Sequence, residues 1–143
     1  MKAMTNVYLR DNQILAAPCA GRGGITYETG PVQIVEPKAE DVAAAVSRCL
    51  EVSQGQMGTP VPNLRGYKSP VLAAVKVKTL SKFYVNVAMC GVYINDGITM
   101  VLPFTPARDG RGFEIREQAR AVDANQLGQV VLDVLLAAQR LNP

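Results

Sequence analysis

The sequence contains no histidine. The commonest general base and the commonest transition-metal ligand are therefore missing, and no Ser–His or Cys–His nucleophile pair can form within the chain. Cysteine is sparse. Cys19, Cys49 and Cys90 are odd in number and show no CxxC spacing, which argues against a disulfide framework and against a zinc site. Tryptophan is absent and aromatics make up only 6% of residues, so the core must be aliphatic and alanine-rich. Long apolar runs are missing as well: Val130–Leu132 and Val134–Ala138 are short, interrupted, and unable to span a bilayer. The opening MKAMTNVYLRDN has no apolar h-region, so no secretory signal is expected and a cytoplasmic location is the default.

What is present is an ordinary globular balance, 48% hydrophobic and 19% charged, with 12 Gly and 9 Pro. A chain of 143 residues suits one domain, residues 1–143, with a sizeable core. Net charge is +3, from 15 basic and 12 acidic residues. The densest basic cluster, Lys76, Lys78 and Lys82, lacks the aromatic interleaving of a nucleic-acid platform, and a solvated surface is the plainer reading.

The chain repeats itself. VYLRDNQILAAP (7–18) and VYINDGITMVLP (92–103) share Val, Tyr, Asp and Pro at a spacing of 85 residues. Asp11-Asn12 and Asn95-Asp96-Gly97 are turn sequences, predicting strands near 4–10 and 13–18, then near 86–94 and 98–104. Ile98, Met100, Leu102 and Phe104 alternate onto one face of the last of these. Further strands are expected at 24–28, 31–36 and 113–121.

From Pro37 the period becomes helical. Val42, Ala45, Val46, Cys49 and Leu50 form one buried stripe, and Leu127, Val130, Val131, Val134 and Leu135 form another, again 85 residues on. This predicts two long helices, about 38–54 and 124–140, the second opened by Asp123 and Gln126 as a capping box and widened by Leu132 and Leu136. Cys49 then reads as a small buried hydrophobe. Between the halves, QGQMGTPVPN is a loop and Ser69-Pro70 opens a short middle helix through about Val75, while KTLSKFY suits a helical turn or a strand. The fold class is α+β, mainly an antiparallel sheet with two long helices, built from two pseudo-repeated βββα halves.

No constellation for chemistry emerges. AGRGGITYETG invites a phosphate-loop reading, but Gly24 is followed by strand-forming residues where a phosphate loop needs a helix, so it reads as a hairpin tip. Asp11 and Asp96 read as turn residues and not as paired catalytic carboxylates. Tyr8 and Tyr93 read as semi-buried sheet residues. TPARDGRGFEI is a charged turn on an otherwise rigid sheet, suited to solvation or to recognition of a protein.

The order of these features resembles the immunity proteins of bacterial contact-dependent growth inhibition systems (CdiI). The residues that carry the resemblance are RDNQILAAPCA, GGITYETGPVQIVE and the helix DVAAAVSRCLEVSQ, then GTPVPN, VKVKTLSKFYVNV, YINDGITMVLPF and NQLGQVVLDVLLAAQ. They span almost the whole chain. The resemblance implies a cytosolic antitoxin without catalysis and without a cofactor. Its partner would be the C-terminal toxin domain of a cognate surface protein, and a nuclease is one such toxin. The positive net charge sits awkwardly with a nuclease, whose basic site attracts acidic inhibitors.

The resemblance supplies no binding motif. On physical grounds alone, Tyr67 and Lys68 after the Pro loop, with Arg108, Asp109, Arg111 and Glu114, are the candidate toxin-binding residues. Two rivals stand beside this reading: a single-stranded nucleic-acid-binding protein, and a small-molecule enzyme using Cys19 or Cys90 as nucleophile. Oligomeric state and the toxin's activity are left open.

Overall fold

The structure, a computed structural model, describes residues 1–22, 25–61, 63–107 and 112–140, and of Leu64 the backbone alone. Strands β1 (Ala3–Arg10), β2 (Gln13–Arg22), β3 (Ile25–Glu28) and β4 (Gln33–Val35) lead into helix α1 (Ala39–Gln54). A 3-10 turn (Leu64–Gly66) and the short helices α2 (Pro70–Val75) and α3 (Leu80–Phe83) follow. The second half then runs β5 (Ala88–Asn95), β6 (Ile98–Pro103), β7 (Thr105–Pro106), β8 (Phe113–Glu114) and β9 (Arg120–Ala121). A 3-10 turn (Ala124–Gln126) opens its helix α4 (Leu127–Arg140). The main sheet has the order β3-β2-β1-β5-β6-β9, with β4 also pairing β2, and every one of these pairings is antiparallel.

The repeat seen in sequence is a repeat of register. Thr5 faces Pro18 in the first hairpin and Cys90 faces Pro103 in the second, each number 85 higher. Both turns place two successive residues at positive φ, Asp11 and Asn12 in one and Asp96 and Gly97 in the other, as the two-residue hairpin turn demands. The halves meet where β1 pairs β5. There Asn6 faces Gly91, two equivalent positions, so a local twofold passes between them.

The correspondence loosens at the rim. Thr105 faces Glu114 where the first half's register would give Gly112, and Met100 faces Ala121 where it would give Ala119. The second half thus holds two extra residues between Pro106 and Phe113 and gives them back before Ala124. The strand expected over 113–121 is therefore broken into β8 and β9, and β7 leaves the main sheet to pair with β8.

Alternate residues on the strands divide two cores. Val7, Leu9, Ile14, Ala16, Cys90, Val92 and Val101 face α1 and α4, whose predicted stripes are buried against them. Ser53 ties α1 to the sheet, its hydroxyl donating to the Cys19 carbonyl (2.6 Å) and accepting from the Met4 amide (2.8 Å). The helices touch closely at Gly128, in the first turn of α4, where only a missing side chain lets the Ala39 carbonyl approach. Leu136 points outward, 39% exposed, so it does not widen the buried face of α4 as its hydrophobicity suggests. Asp123 makes no side-chain cap either. The 3-10 turn places the Gln126 amide on the Asp123 carbonyl (2.9 Å), removing the donor a capping box would use.

The other face carries Tyr8, Leu15, Ala17, Val87 and Met89, covered by α2 and α3 through Val71, Leu72, Val75, Val77 and Phe83. Ser69 caps α2 by accepting from the Val71 amide (3.3 Å), and Pro70 occupies the first turn, as the sequence predicts. Thr79 caps α3, so KTLSKFY is a helical turn and not a strand. No helix among the described residues is long and apolar enough to cross a membrane.

Candidate functional site

The insert that carries α2 and α3 has no counterpart in the repeat, and it lies across the sheet face away from the long helices. Beside that apolar packing, one carboxylate ties it to the sheet. Asn6, Tyr8 and Arg10 alternate along β1 on this face, and Glu28 reaches toward them from β3. Glu28 Oε2 accepts from Tyr8 Oη and from Asn6 Nδ2 (2.9 Å), while Oε1 accepts from Ser69 Oγ (2.9 Å). Its backbone carbonyl accepts from Tyr67 Oη (2.6 Å). Ser69 is therefore both the cap of α2 and a strut to the sheet. Arg10 pairs with Asp11 (3.2 Å), its guanidinium lying 5.9 Å from the Phe83 ring centre.

These contacts set the tyrosines' acidity. Burial, and then the Glu28 charge, push Tyr8 well above the ordinary phenol value and Tyr67 up to about 12. Both hydroxyls therefore stay protonated donors at neutral pH. Tyr8 reads differently from its sequence expectation: it is buried, and its hydroxyl is committed to Glu28. Replacing Glu28 with Ala strands Tyr8, Asn6 and Ser69 donors. We expect a loss of about 1–3 kcal/mol, read as a lower urea midpoint, with faster amide exchange over residues 67–75. An unchanged midpoint and unchanged exchange would show that Glu28 does not hold the insert.

Of the several hollows on the described surface, two have the most apolar linings. One, of about 430 Å³, lies in the insert and is lined by Tyr67, Lys68, Ser69, Leu72, Ala73, Val77, Lys78 and Leu80. Its floor is aliphatic, and its exposed lysines, Lys68 and Lys78, supply the charge. The Tyr67 ring stands edge-on to Tyr27, with centroids 6.0 Å apart. The other, of about 410 Å³, lies at the end of β1 between the halves and is lined by Met4, Gly21, Arg22, Thr26, Leu102 and Phe104, among others. Gly91 helps to keep it open, because a Cβ there would stand 3.3 Å from both the Met4 methyl and the Phe104 ring.

Of the candidate toxin-binding residues, Tyr67 and Lys68 come together in the first hollow. Glu114 lies on β8, exposed and paired with Arg116 (2.9 Å), and lines neither hollow. Arg108, Asp109 and Arg111 lie outside the described residues. Glu28 was missed from sequence, since its role depends on a partner strand and an insert distant in the chain. Lys78 and the aliphatic floor were also missed. The signal for them was the lysine cluster read together with the Ser69-Pro70 helix start.

The fold is shared with two solved structures. One is a protein of unknown function from Neisseria meningitidis, with a TM-score of 0.68 at 10% identity, covering 94% of this chain and 93% of that one. The other is a chain of the CdiA-CT/CdiI toxin and immunity complex from Yersinia pseudotuberculosis. Its TM-score is 0.66 at 12% identity, covering 95% of this chain and 96% of that one. No protein-family model matches the sequence, and no curated protein matches it either. The likeness covers both halves and the insert, and at this identity it is a likeness of fold.

The cysteines bear on the enzyme rival. All three are buried, and burial raises Cys19 and Cys90 to about 12 and Cys49 to about 11. At neutral pH they are thiols sealed in the sheet and α1, the opposite of the exposed, low-pKa setting a nucleophilic cysteine requires. Among the described residues no group of His, Cys, Asp or Glu could hold a metal ion.

Proposed function

We propose that this chain is an immunity protein. It binds the C-terminal toxin domain of a cognate contact-dependent growth inhibition surface protein in the cytoplasm and blocks it without catalysis of its own. The observation that carries this reading is the shared fold, end to end, with a chain of a toxin and immunity complex. The buried cysteines and the absence of histidine agree with it. The residues proposed to meet the toxin are Tyr67 and Lys68 in the insert and, in the second half, Arg108, Asp109, Arg111 and Glu114.

The test is a complex. The purified chain, mixed with the toxin domain encoded beside its gene, is expected to co-elute as one species with a dissociation constant of about 10 nM or tighter. Separate elution of the two at micromolar concentration would remove the proposal.

A second reading, binding of single-stranded nucleic acid, draws on the run of cations in the insert. It predicts salt-dependent oligonucleotide binding. The described hollow offers one ring, Tyr67, whose hydroxyl is already engaged, and an aliphatic floor in place of a stacking platform. The protein-binding reading fits that lining better.

A further inference from the structure

The positive charge of this chain is not spread evenly. Between Glu51 and Asp96 the sequence has no carboxylate at all, yet it carries Arg65, Lys68, Lys76, Lys78 and Lys82. The overall net charge is +3, so the remaining residues together are net negative. All five cations are exposed, and they fall on the one segment that the internal repeat does not account for. The carboxylate that the segment bonds is Glu28, whose oxygens are occupied by Tyr8, Asn6 and Ser69 and which faces the sheet.

Within this basic surface lies the hollow floored by Leu72, Ala73, Val77 and Leu80, with Lys68 and Lys78 among its lining residues. Leu80 is 47% exposed. An aliphatic floor rewards one or two buried apolar side chains, and ammonium groups beside it reward carboxylates flanking them. Lysine is the cation for this task, since it pairs as a point charge on a flexible stem and does not demand the planar fork of a guanidinium site.

We propose that the hollow lined by Tyr67, Lys68, α2 and the start of α3 receives an acidic segment of the partner protein, with one or two aliphatic or aromatic side chains in the floor and Asp or Glu on either side. The proposal rests on the immunity reading only for the identity of the partner. It also accounts for the mismatch between a net positive inhibitor and a basic nuclease site. The contact is made with an acidic element of the toxin, and so does not require the inhibitor to mimic a phosphate backbone.

The test uses the whole chain, isotopically labelled, and a synthetic peptide of alternating Glu and Leu with a central Phe. Amide shifts are followed by NMR at low and at high salt. We expect shifts confined to residues 65–82, with affinity falling at least about tenfold as salt is raised and the Debye length shortens. The K68E/K78E double variant, altered at two exposed side chains, is expected to lose at least about tenfold in affinity while keeping its spectrum elsewhere. The same peptide with Gln for Glu is expected to bind no better than that variant binds the acidic one. Absence of shifts in 65–82, equal binding of the Gln peptide, or displacement of the Glu peptide by oligothymidine at equal concentration would overturn the proposal. Whether the chain binds its toxin is read separately by co-elution, so the groove can fail while the immunity reading stands.

Discussion

Gly128→Ala is expected to destabilise the protein, although alanine is the better helix former. Within a helix the exchange ordinarily contributes up to about 1 kcal/mol in alanine's favour. Here a Cβ would stand 1.9 Å from the Ala39 carbonyl oxygen, 2.8 Å from its carbon and 3.0 Å from the Ala43 Cβ. The nearest obstacle is backbone at the start of α1, which cannot swing aside. The helices must separate instead, and their shared layer contains Val42, Val46, Leu127, Val131 and Leu135. Overpacking costs about 1–3 kcal/mol, and a backbone obstacle puts this site at the upper end; less the gain in helix propensity, the net loss is about 2 kcal/mol, and larger for Gly128→Val. At the fold's size this lowers the melting temperature by roughly 5–10 °C. Ala43→Gly in the same chain is not expected to rescue it, because the Ala39 carbonyl remains. A Gly128→Ala protein as stable as the parent would show that α1 and α4 do not pack this closely.

The second large effect is expected in alkaline solution. Cys19 and Cys90 are raised by burial from 9.0 to about 12, and Cys49 from 9.0 to about 11. In the unfolded chain these thiols ionise near 9, while in the folded chain they hold their protons. Unfolding therefore releases protons between about pH 9 and 12, and stability must fall as pH rises through that window. Below about pH 9 the contribution is complete and flat with pH. With three buried thiols the loss across the window is on the order of several kcal/mol, comparable with the whole stability of a small domain. Tyr8, raised in the same direction by burial and by Glu28, adds to it. A series of urea midpoints is expected to be level from about pH 7 to about 8.5 and to drop steeply by about pH 10.5. Cys90→Ala should make that drop shallower. A midpoint independent of pH up to about 11 would contradict the burial of these groups. The three thiols should also resist a disulfide reagent until the protein unfolds.

These expectations show where the sequence was informative. The hairpins and the two long helices were legible because local pattern decides them. Asp11-Asn12 and Asp96-Gly97 suit positive φ, and Val42 through Leu50 and Leu127 through Leu135 keep a strict helical period. Their common spacing then foretold equal register, as Thr5↔Pro18 and Cys90↔Pro103 bear out. The rim was less legible. Two residues inserted before Phe113 are invisible to a repeat that resumes in phase at Ala124, so one long strand was expected where β8 and β9 are separate. Asp123 failed as a side-chain cap because the first turn of that helix tightened to 3-10 geometry.

The candidate site was half legible. Tyr67 and Lys68 were reachable because they follow a Pro-rich loop and precede a capped helix. Glu28 was not, since nothing in ITYETG announces that its carboxylate will meet Tyr8 and Ser69, 20 and 41 residues away. The hollow itself depends on how α2 and α3 turn back at Lys76, which adopts a left-handed conformation as the α2 cap. That geometry belongs to the folded insert. The repeated frame explains the sheet and the long helices, and recognition is proposed for the insert, which the repeat leaves free to differ.

The central claim is that this chain neutralises a toxin by binding it. The most direct measurement is growth of bacteria carrying the toxin domain encoded beside its gene under an inducible promoter, with and without this chain expressed alongside. The account predicts arrest on induction of the toxin alone and normal growth when the chain is present. Arrest that persists at full expression of the folded chain would contradict it.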